Sequence, residues 1–506
     1  MASNNKNIAK NAFFLYVRMF ITMGISLFTS RVILQTLGET DFGIYNIVGG
    51  IVVLFSFLNA ALTTSTQRFL SYALGKNDNN YFTHFFSISI TCYLILSVIL
   101  IILTETLGLW FLNNFLNIPE ERMEAARVVY QFSIFSFIVQ ILRIPYHAAI
   151  IAYEKMNFFA YISILETVLK LAIVYLLLFI TFDKLILYSF LMFIVLAIIT
   201  ITCKLYSNKK FNTTYIFYWN KKDFKEFLSF SSWSLLGGIA NIGSQQALNF
   251  MLNIFFSVTV NAAVGIANQV TGVIYNFVTN FQLAFNPQII KCYASHEIEQ
   301  YQRLVLMASK ISFFLLFIIG LPIIANIDYI LHIWLSNVPK FTADFISIIF
   351  IYQIIDAISA PFTICVQAKG NIKYYQIIVS ILILTNIPLA YIVLKMGGTP
   401  YMVWFTKIFV NIICFIFRCY YANKNTNIKI RRFIKEVILR AIIIILICTP
   451  LVFKIKETFC DELISLGVST ISSLLITSVF IYFIGLETSE KAFLKNKIKL
   501  IYKKHI

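Results

Sequence analysis

Fourteen apolar runs, each close to the length that crosses a membrane as a helix, organise this sequence. A helix needs about 20 apolar residues to span the ~30 Å hydrocarbon core of a bilayer. Charged residues make up 13% of the chain, whereas soluble proteins contain about 25%. We therefore predict an all-α polytopic membrane protein with about 14 transmembrane helices. The predicted spans are residues 11–33, 43–66, 82–104, 126–150, 158–181, 184–203, 227–256, 260–285, 304–326, 343–367, 375–395, 401–420, 433–453 and 463–485.

Lysine and arginine are distributed unevenly among the connections between these runs. The two ends of the chain and the even-numbered connections carry 28 of them, and the odd-numbered connections carry eight. Cytoplasmic loops of membrane proteins are enriched in these residues, so we predict both termini in the cytoplasm. An even number of spans requires the same arrangement. Because the basic residues lie between apolar runs, nucleic acid is not an expected partner.

An internal repeat relates the two halves of the chain. Six spans separate the equivalent helices, so both halves enter the membrane in the same direction and form a parallel pseudo-repeat. We predict a six-helix bundle at 1–203, a basic cytoplasmic linker at 204–225, a second six-helix bundle at 226–421, and two additional helices with a basic tail at 422–506. With a shift of 221 residues, Val52, Asn59, Leu62, Gln67, Tyr72 and Ala73 fall on Val273, Asn280, Leu283, Gln288, Tyr293 and Ala294.

Polar residues recur at spacings of three and four in several predicted spans. Such a stripe places them on one helix face, which points to protein or water rather than lipid. Arg18 belongs to such a stripe in the first span, and Asn241 and Gln245 belong to one in the seventh. These faces either line a cavity between the halves or only hydrogen-bond neighbouring helices.

Arginines within the spans predict an anion site. An arginine at the membrane centre costs about 2.5–3.5 kcal/mol on insertion scales, so Arg18 and Arg143 need compensation. Neither has an acidic neighbour in the sequence, whereas Glu166 and Lys170, four residues apart, are expected to neutralise each other. The planar guanidinium binds phosphate through paired hydrogen bonds. The open alternative is that an arginine pairs with Asp356, the unassigned carboxylate in the middle of the tenth predicted span, or with carbonyl groups at a helix end.

Three further candidates are less sharply defined. Arg31 and Arg68 lie at predicted helix ends, as residues of a cavity rim or as ordinary interfacial anchors. Asp356, with Gln353 and Thr363 on its face of the tenth span, either binds a coupling Na⁺ or H⁺ or serves as counter-ion to a cavity arginine. The cysteines and histidines show no metal-binding spacing, so no metal or other cofactor is predicted.

The N-terminal region carries a resemblance to a known family. The stretches FLYVRMFITMGISLFTSRVILQTLG, DFGIYNIVGG and FSFLNAALTTSTQRFLSYALGK resemble the signature of bacterial Wzx-type polysaccharide or oligosaccharide flippases, closest to variants of Bacteroidetes-like bacteria. These proteins belong to the multidrug/oligosaccharidyl-lipid/polysaccharide (MOP) exporter superfamily. The resemblance implies a MATE-like fold in the bacterial inner membrane and a cationic cavity that carries over onto Arg18, and also onto Arg31, Arg68 and Arg143.

The implied activity is translocation of an undecaprenyl-diphosphate-linked oligosaccharide, an O-antigen or capsule repeat unit, from the inner to the outer leaflet. Its implied partners are that lipid-linked substrate, membrane lipids, and polysaccharide polymerase and chain-length proteins. Fourteen spans also resemble the lipid II flippase branch. The alternatives are a MATE-type cation-coupled drug antiporter, a membrane polymerase or ligase, and a scaffold. No catalytic motif and no large outer loop is present, so we expect a protein that is not an enzyme.

Overall fold

The computed structural model describes residues 2–492, apart from 54, 55, 116, 117, 181, 212, 257, 336, 337, 427, 460 and 489. Within those residues the chain is helical and contains no strand, and each of the fourteen predicted spans coincides with helical segments. The helices are α1 (Ala2–Val53), α2 (Ser56–Gly75), α3 (Asn79–Leu103), α4 (Leu109–Phe115), α5 (Met123–Ala152), α6 (Met156–Leu176), α7 (Lys184–Phe211), α8 (Lys221–Phe255), α9 (Val258–Ala294), α10 (Ile298–Ala325), α11 (Ile327–Trp334), α12 (Thr342–Lys369), α13 (Lys373–Leu384), α14 (Asn386–Lys395), α15 (Met402–Thr426), α16 (Ile430–Phe433), α17 (Leu439–Glu457) and α18 (Glu462–Phe480).

Hydropathy supports the membrane assignment. In the described part of the chain, ten helical segments combine the length and the hydropathy of a membrane span. In four of them only 28% of the most apolar window is buried against protein, so most of that surface faces lipid. Four predicted spans lie outside these ten segments: the first and second, and the seventh and eighth. The internal repeat relates the first of these pairs to the second pair. The seventh and eighth lie in α8 and α9 and carry several of the polar residues described above.

The chain divides into two compact units. Unit 1 comprises Met1–Ile239, Ile290–His296 and Gly370–Ile377, and unit 2 comprises Ala240–Ile289, Glu297–Lys369 and Ile378–Ile506. In unit 1, Phe82 and Phe86 of α3 pack against small alanines of α5. In unit 2, α10 and α15 both pack against α12. The domain boundaries expected from the sequence stay a prediction.

Glycine makes the first turn of the chain. The sequence predicts a short acidic loop at residues 38–41 between the first two spans, and the structure breaks the helix there: α1 consists of two helices that meet at a kink at Gly38, where φ is 79° and ψ is 170°. Only glycine adopts this backbone region without strain. Just beyond it, Asp41 accepts two hydrogen bonds from Arg122, at 2.9 and 2.6 Å. Arg122 also donates to Asp183 at 2.6 Å, so three connections are held together.

Polar contacts within unit 1 join connections of the same parity. In unit 1, Asp41, Arg122 and Asp183 come from the first, third and fifth connections, all odd-numbered. On the even-numbered side, Lys291 pairs with Glu154. Helices that alternate in direction bring odd-numbered connections to one face and even-numbered ones to the other. The contacts therefore support the predicted alternation of the spans.

The last two helices belong to unit 2 and are attached by polar contacts. Serine and threonine side chains at intervals of four line the buried face of α18, which packs on α10. Ser469 in this row exchanges hydrogen bonds with buried Asn326 at 2.8 and 3.0 Å. Such contacts between polar side chains hold helices together in lipid. Further along, the buried ammonium of Lys310 pairs with Glu490 at 2.6 Å.

Candidate functional site

The first helix places Arg18 on the polar face that the sequence predicts. Its half-buried guanidinium lies 4.8 Å from the ring centroid of Phe159 on α6. A cation over an aromatic face gains about 0.5–2 kcal/mol. That is less than the insertion cost of an arginine at the membrane centre, so the contact with Phe159 alone does not offset the cost of placing Arg18 there.

Arg143 has an acidic partner that the sequence analysis did not find. Its guanidinium donates to Glu166 at 2.8 Å, and Lys170 donates to the other oxygen of the same carboxylate at 2.7 Å. The expected pair of Glu166 and Lys170 is therefore a triad with one net positive charge. The carboxylate that the sequence analysis considered for this arginine was Asp356, because Glu166 was assigned to Lys170. Glu166 reaches Arg143 because α5 and α6 pack side by side. Arg18 and Arg143 both lie close enough to His147 to interact with it electrostatically.

Arg68 occupies a separate environment in unit 1. Its side chain is 4% exposed and lies 3.9 Å from Glu226. Three aromatic rings, those of Phe69, Tyr72 and Phe230, lie within 5.4 Å of its guanidinium carbon. The structure therefore brings Arg18 and Arg143 together and holds Arg68 in an aromatic cage.

Unit 2 contains a polar cavity of about 90 Å³, which is large enough for several water molecules. Its wall joins residues for which the sequence predicts different roles. Asn241 and Gln245, expected to contact the glycan or pyrophosphate, lie on it together with Asp356, expected to couple an ion. Lys407, Asn411 and Arg418 of α15 also line the cavity.

Asp356 is engaged by neighbouring side chains. Tyr275 of α9 donates to one carboxylate oxygen at 2.6 Å, and Arg418 donates to the other at 3.3 Å. Arg418 also donates to Ser359 at 2.6 Å. The open alternative that Asp356 is a counter-ion to an arginine is thus the arrangement observed. Its partner was unexpected, because Arg418, near the end of the predicted span 401–420, was counted among the 28 basic residues of the chain ends and even-numbered connections. In the structure it lies inside α15 with its side chain 12% exposed.

Lys407 lies on the same face of α15. Its ammonium is 4.2 Å from the ring centroid of Trp404 and 4.7 Å from that of Tyr352. Among the described residues it has neither an ion pair nor a hydrogen bond. The cavity is therefore lined by two cations and one carboxylate.

The other predicted ion ligands lie apart from the cavity. Gln353 and Thr363 do not line it, and the side-chain oxygen of Gln353 is buried without a hydrogen-bond partner. Within the described residues no cluster of three or more His, Cys, Asp or Glu side chains could hold a metal ion. The side chain of Arg31 lies outside the described residues. The roles of all these residues stay predictions.

The sequence contains a signal for the cavity residues of the twelfth span that the sequence analysis did not identify. Lys407, Asn411, Cys414 and Arg418 follow one another at intervals of four, three and four, which is the spacing of one helix face. Tyr275 lies at helical spacing from the polar residues Asn268, Thr279 and Gln282 of the eighth span, but no spacing rule connects it to Asp356, which is 81 residues away.

Comparison with known proteins identifies related transporters. A family model described as MatE matches the chain twice, over residues 15–176 and 234–392, once in each half of the predicted repeat. A comparison with curated proteins finds no match.

Three solved structures illustrate the likeness, and each superposes on 83% of this chain and 96% of its own. They are a point mutant of a MATE protein (TM-score 0.71, 14% identity), an outward-facing multidrug resistance MATE family transporter of the MOP superfamily (0.69, 15%), and a MOP superfamily transporter from Pyrococcus furiosus (0.68, 13%). The last is described as having a binding pocket of reverse polarity that suggests a different function. At these identities the likeness shows the fold alone.

Proposed function

Because this chain belongs to the MatE family, and is therefore a multi-pass membrane transporter of the MOP superfamily, we propose that it moves an anionic lipid-linked oligosaccharide across the membrane. The substrate is an undecaprenyl-diphosphate-linked repeat unit, carried by alternating access from the inner to the outer leaflet of the bacterial inner membrane. The observation that carries this proposal is the excess of cations over carboxylates among the charged groups inside the helices.

In unit 1 this excess lies around Arg18. Arg18 faces the ring of Phe159, and the nearby triad of Arg143, Lys170 and Glu166 keeps one positive charge. A pyrophosphate is a compact dianion with several acceptor oxygens, and guanidinium groups bind such oxygens in pairs. The isoprenoid chain of the substrate stays in the bilayer while the charged headgroup passes these residues.

A MATE-type cation antiporter is the second candidate. It has equal support from the family and from the fold. A cationic substrate needs carboxylates in its path, and in unit 2 the carboxylate of Asp356 is already paired with Arg418. The charge inside the helices therefore favours an anion. A lipid II-type flippase shares the pyrophosphate chemistry and differs only in its glycan. The coupling ion, Na⁺ or H⁺, stays a prediction.

Flipping of a fluorescent lipid-linked oligosaccharide in proteoliposomes tests the proposal. Arg18→Ala removes the planar guanidinium group and its charge. A hydrogen bond to a charged group contributes about 1.5–3 kcal/mol, so we expect the rate of flipping to fall by about tenfold or more. Arg18→Lys keeps the charge and recovers part of the rate. Arg127→Ala is the matched control, because Arg127 is exposed in unit 1 and, among the described residues, donates hydrogen bonds to Asn113 alone.

The antiporter alternative has its own readout. Uptake of a cationic dye into the same proteoliposomes, abolished by Asp356→Asn, favours the antiporter. A wild-type rate of lipid flipping in the Arg18→Ala protein refutes the role given to this arginine. No flipping by the wild-type protein at all refutes the choice of substrate.

A further inference from the structure

The cavity of unit 2 is lined by two cations and one carboxylate, so it has an excess of positive charge. Asp356 forms its ion pair with Arg418, whereas in the described part of the chain Lys407 forms neither an ion pair nor a hydrogen bond. Its ammonium lies over the faces of Trp404 and Tyr352, and contacts with ring faces use none of the three N–H donors of an ammonium in a conventional hydrogen bond. A half-buried ammonium that lines a polar cavity in this state is placed to receive an anion.

The lining of the cavity also suits the remainder of a ligand. Asn241 and Gln245 of α8 are exposed on its wall, and Asn386 at the start of α14 has a buried side-chain oxygen without a hydrogen-bond partner. Amide side chains both donate and accept hydrogen bonds, which matches the hydroxyl groups of a sugar. The volume of about 90 Å³ admits one substituent of a sugar ring rather than a whole oligosaccharide.

The position of Asp356 limits the ligand to one negative group. Lys407 and Arg418 are 11 residues apart on one face of α15, which corresponds to roughly 16 Å along the axis. Asp356 lies between α9 and α15 and is tied at one oxygen to Tyr275 and at the other to Arg418. The end of the cavity near Arg418 is thus occupied by a protein carboxylate. Among the described residues, Lys407 at the other end is the cavity cation that has no direct ion pair.

We infer that this cavity is an anion site for an acidic sugar, in which Lys407 binds a carboxylate or phosphate group of the glycan and the amides of Asn241 and Gln245 contact its hydroxyls. The inference rests on the proposed function, because it names a class of glycan for the same transporter. It implies a substrate whose repeat unit carries a uronate or a phosphorylated sugar. Arg418 and Asp356 keep the rest of the cavity neutral, so that the site discriminates by charge at one position.

The test is binding of defined probes to the purified full-length protein in nanodiscs, followed by calorimetry. The probes are glucuronate, glucose 6-phosphate, neutral glucose and farnesyl diphosphate, which carries the phosphate chemistry of the lipid carrier without a sugar. We expect the two acidic sugars to bind at least about tenfold more tightly than glucose, equivalent to 1.4 kcal/mol. Added salt weakens the binding because it screens the charge.

Substitutions at Lys407 assign the binding to this cavity. Lys407→Met abolishes the preference for acidic sugars, and Lys407→Arg keeps most of it, since the charge is retained. Lys395→Met is the matched control, because Lys395 is an exposed lysine of unit 2 that also lies over a tyrosine ring, 5.9 Å from Tyr391. If the Lys407→Met protein is unfolded, the Lys407→Arg protein and the salt dependence still decide the question.

Each outcome has a definite meaning. Equal affinity for glucose and glucuronate, or acidic-sugar binding that persists in Lys407→Met, overturns the inference. Lys407-dependent binding of farnesyl diphosphate but not of glucuronate supports an anion site and assigns its ligand to the lipid carrier, which overturns the acidic-sugar part. A protein that flips lipid-linked oligosaccharide but binds no acidic sugar refutes this site and leaves the transport proposal intact. A protein that binds glucuronate through Lys407 but does not flip lipid-linked oligosaccharide supports this site and refutes the transport proposal.

Discussion

Replacing Asp356 with asparagine isolates the charge of the carboxylate from its shape. The amide has nearly the same size, and its oxygen still accepts the hydrogen bond that Tyr275 donates at 2.6 Å. The change therefore removes one negative charge and leaves Lys407 and Arg418 together in the cavity without a carboxylate. Removing one partner of a buried ion pair costs about 3–5 kcal/mol.

The expected value here is smaller than that range. The side chains of Asp356 and Arg418 are 27% and 12% exposed, and water screens part of the interaction. We therefore expect Asp356→Asn to destabilise unit 2 by about 2–3 kcal/mol, half to two thirds of the buried value. In the double variant that also carries Arg418→Met, the guanidinium that Asp356→Asn leaves without its carboxylate is absent. The two changes together are then less destabilising than the sum of the single changes, by about 1–3 kcal/mol.

A thiol-reactive fluorophore provides the measurement. The seven described cysteines are all buried, so the dye reports their exposure as the purified protein unfolds on heating. Asp344→Asn is the control, because Asp344 is exposed on the first turn of the same helix and affects stability by at most about 1 kcal/mol. An unfolding midpoint for Asp356→Asn equal to that of wild type, or strictly additive single and double variants, would refute the reasoning.

Two further predictions use the same dye assay, and a third is measured by the loss of helical circular dichroism on heating, because protonated thiols do not react with the dye in strong acid. Glu166→Gln leaves Arg143 and Lys170 without their shared carboxylate and destabilises unit 1 by about 1–3 kcal/mol; Glu121→Gln, at an exposed position, serves as its control, and an unchanged midpoint contradicts the triad. Gly38→Ala places a side chain in a backbone region that only glycine adopts without strain and lowers the free energy of unfolding by about 1–3 kcal/mol. Gly24→Ala is its control, because the added methyl group meets open space within α1 and leaves the unfolding midpoint close to that of wild type. Burial raises the pKa of Asp183, but hydrogen bonds from Arg122 and the backbone N–H groups of Ile186 and Leu185 outweigh it and lower that pKa. Its stabilisation is therefore complete above the unfolded pKa of about 3.9 and is lost as the pH falls through the lower folded value; Asp183→Asn should be less stable than wild type at pH 7 and equal to it in strong acid, and a constant difference would contradict the assignment.

The sequence predicted the helical membrane fold because the signal is local. Each span is a continuous run of about 20 apolar residues, and the bilayer imposes that length on every helix separately. The internal repeat and the alternation of basic residues among the connections could be recognised from the order of these runs along the chain. The same local rules placed Arg18, Asn241, Gln245 and Asp356 on polar helix faces.

Pairing between helices was not predictable in this way. Glu166 was assigned to Lys170 because the two are one turn apart, and its second bond to Arg143 depends on how α5 packs against α6. Arg418 was assigned to a loop because a charge near the end of an apolar run usually marks its boundary. Its partner Asp356 lies 62 residues away, and no spacing connects them.

The ion pair between Lys310 and Glu490 has a consequence for how the protein is made. The two residues are 180 positions apart, and a ribosome delivers the lysine to the membrane long before the glutamate exists. During that interval the ammonium of Lys310 lacks this carboxylate, and the ion pair forms only after the final helices have been synthesised. We therefore expect a chain shortened before residue 490 to be less stable than the full-length protein, because its buried Lys310 stays without this partner.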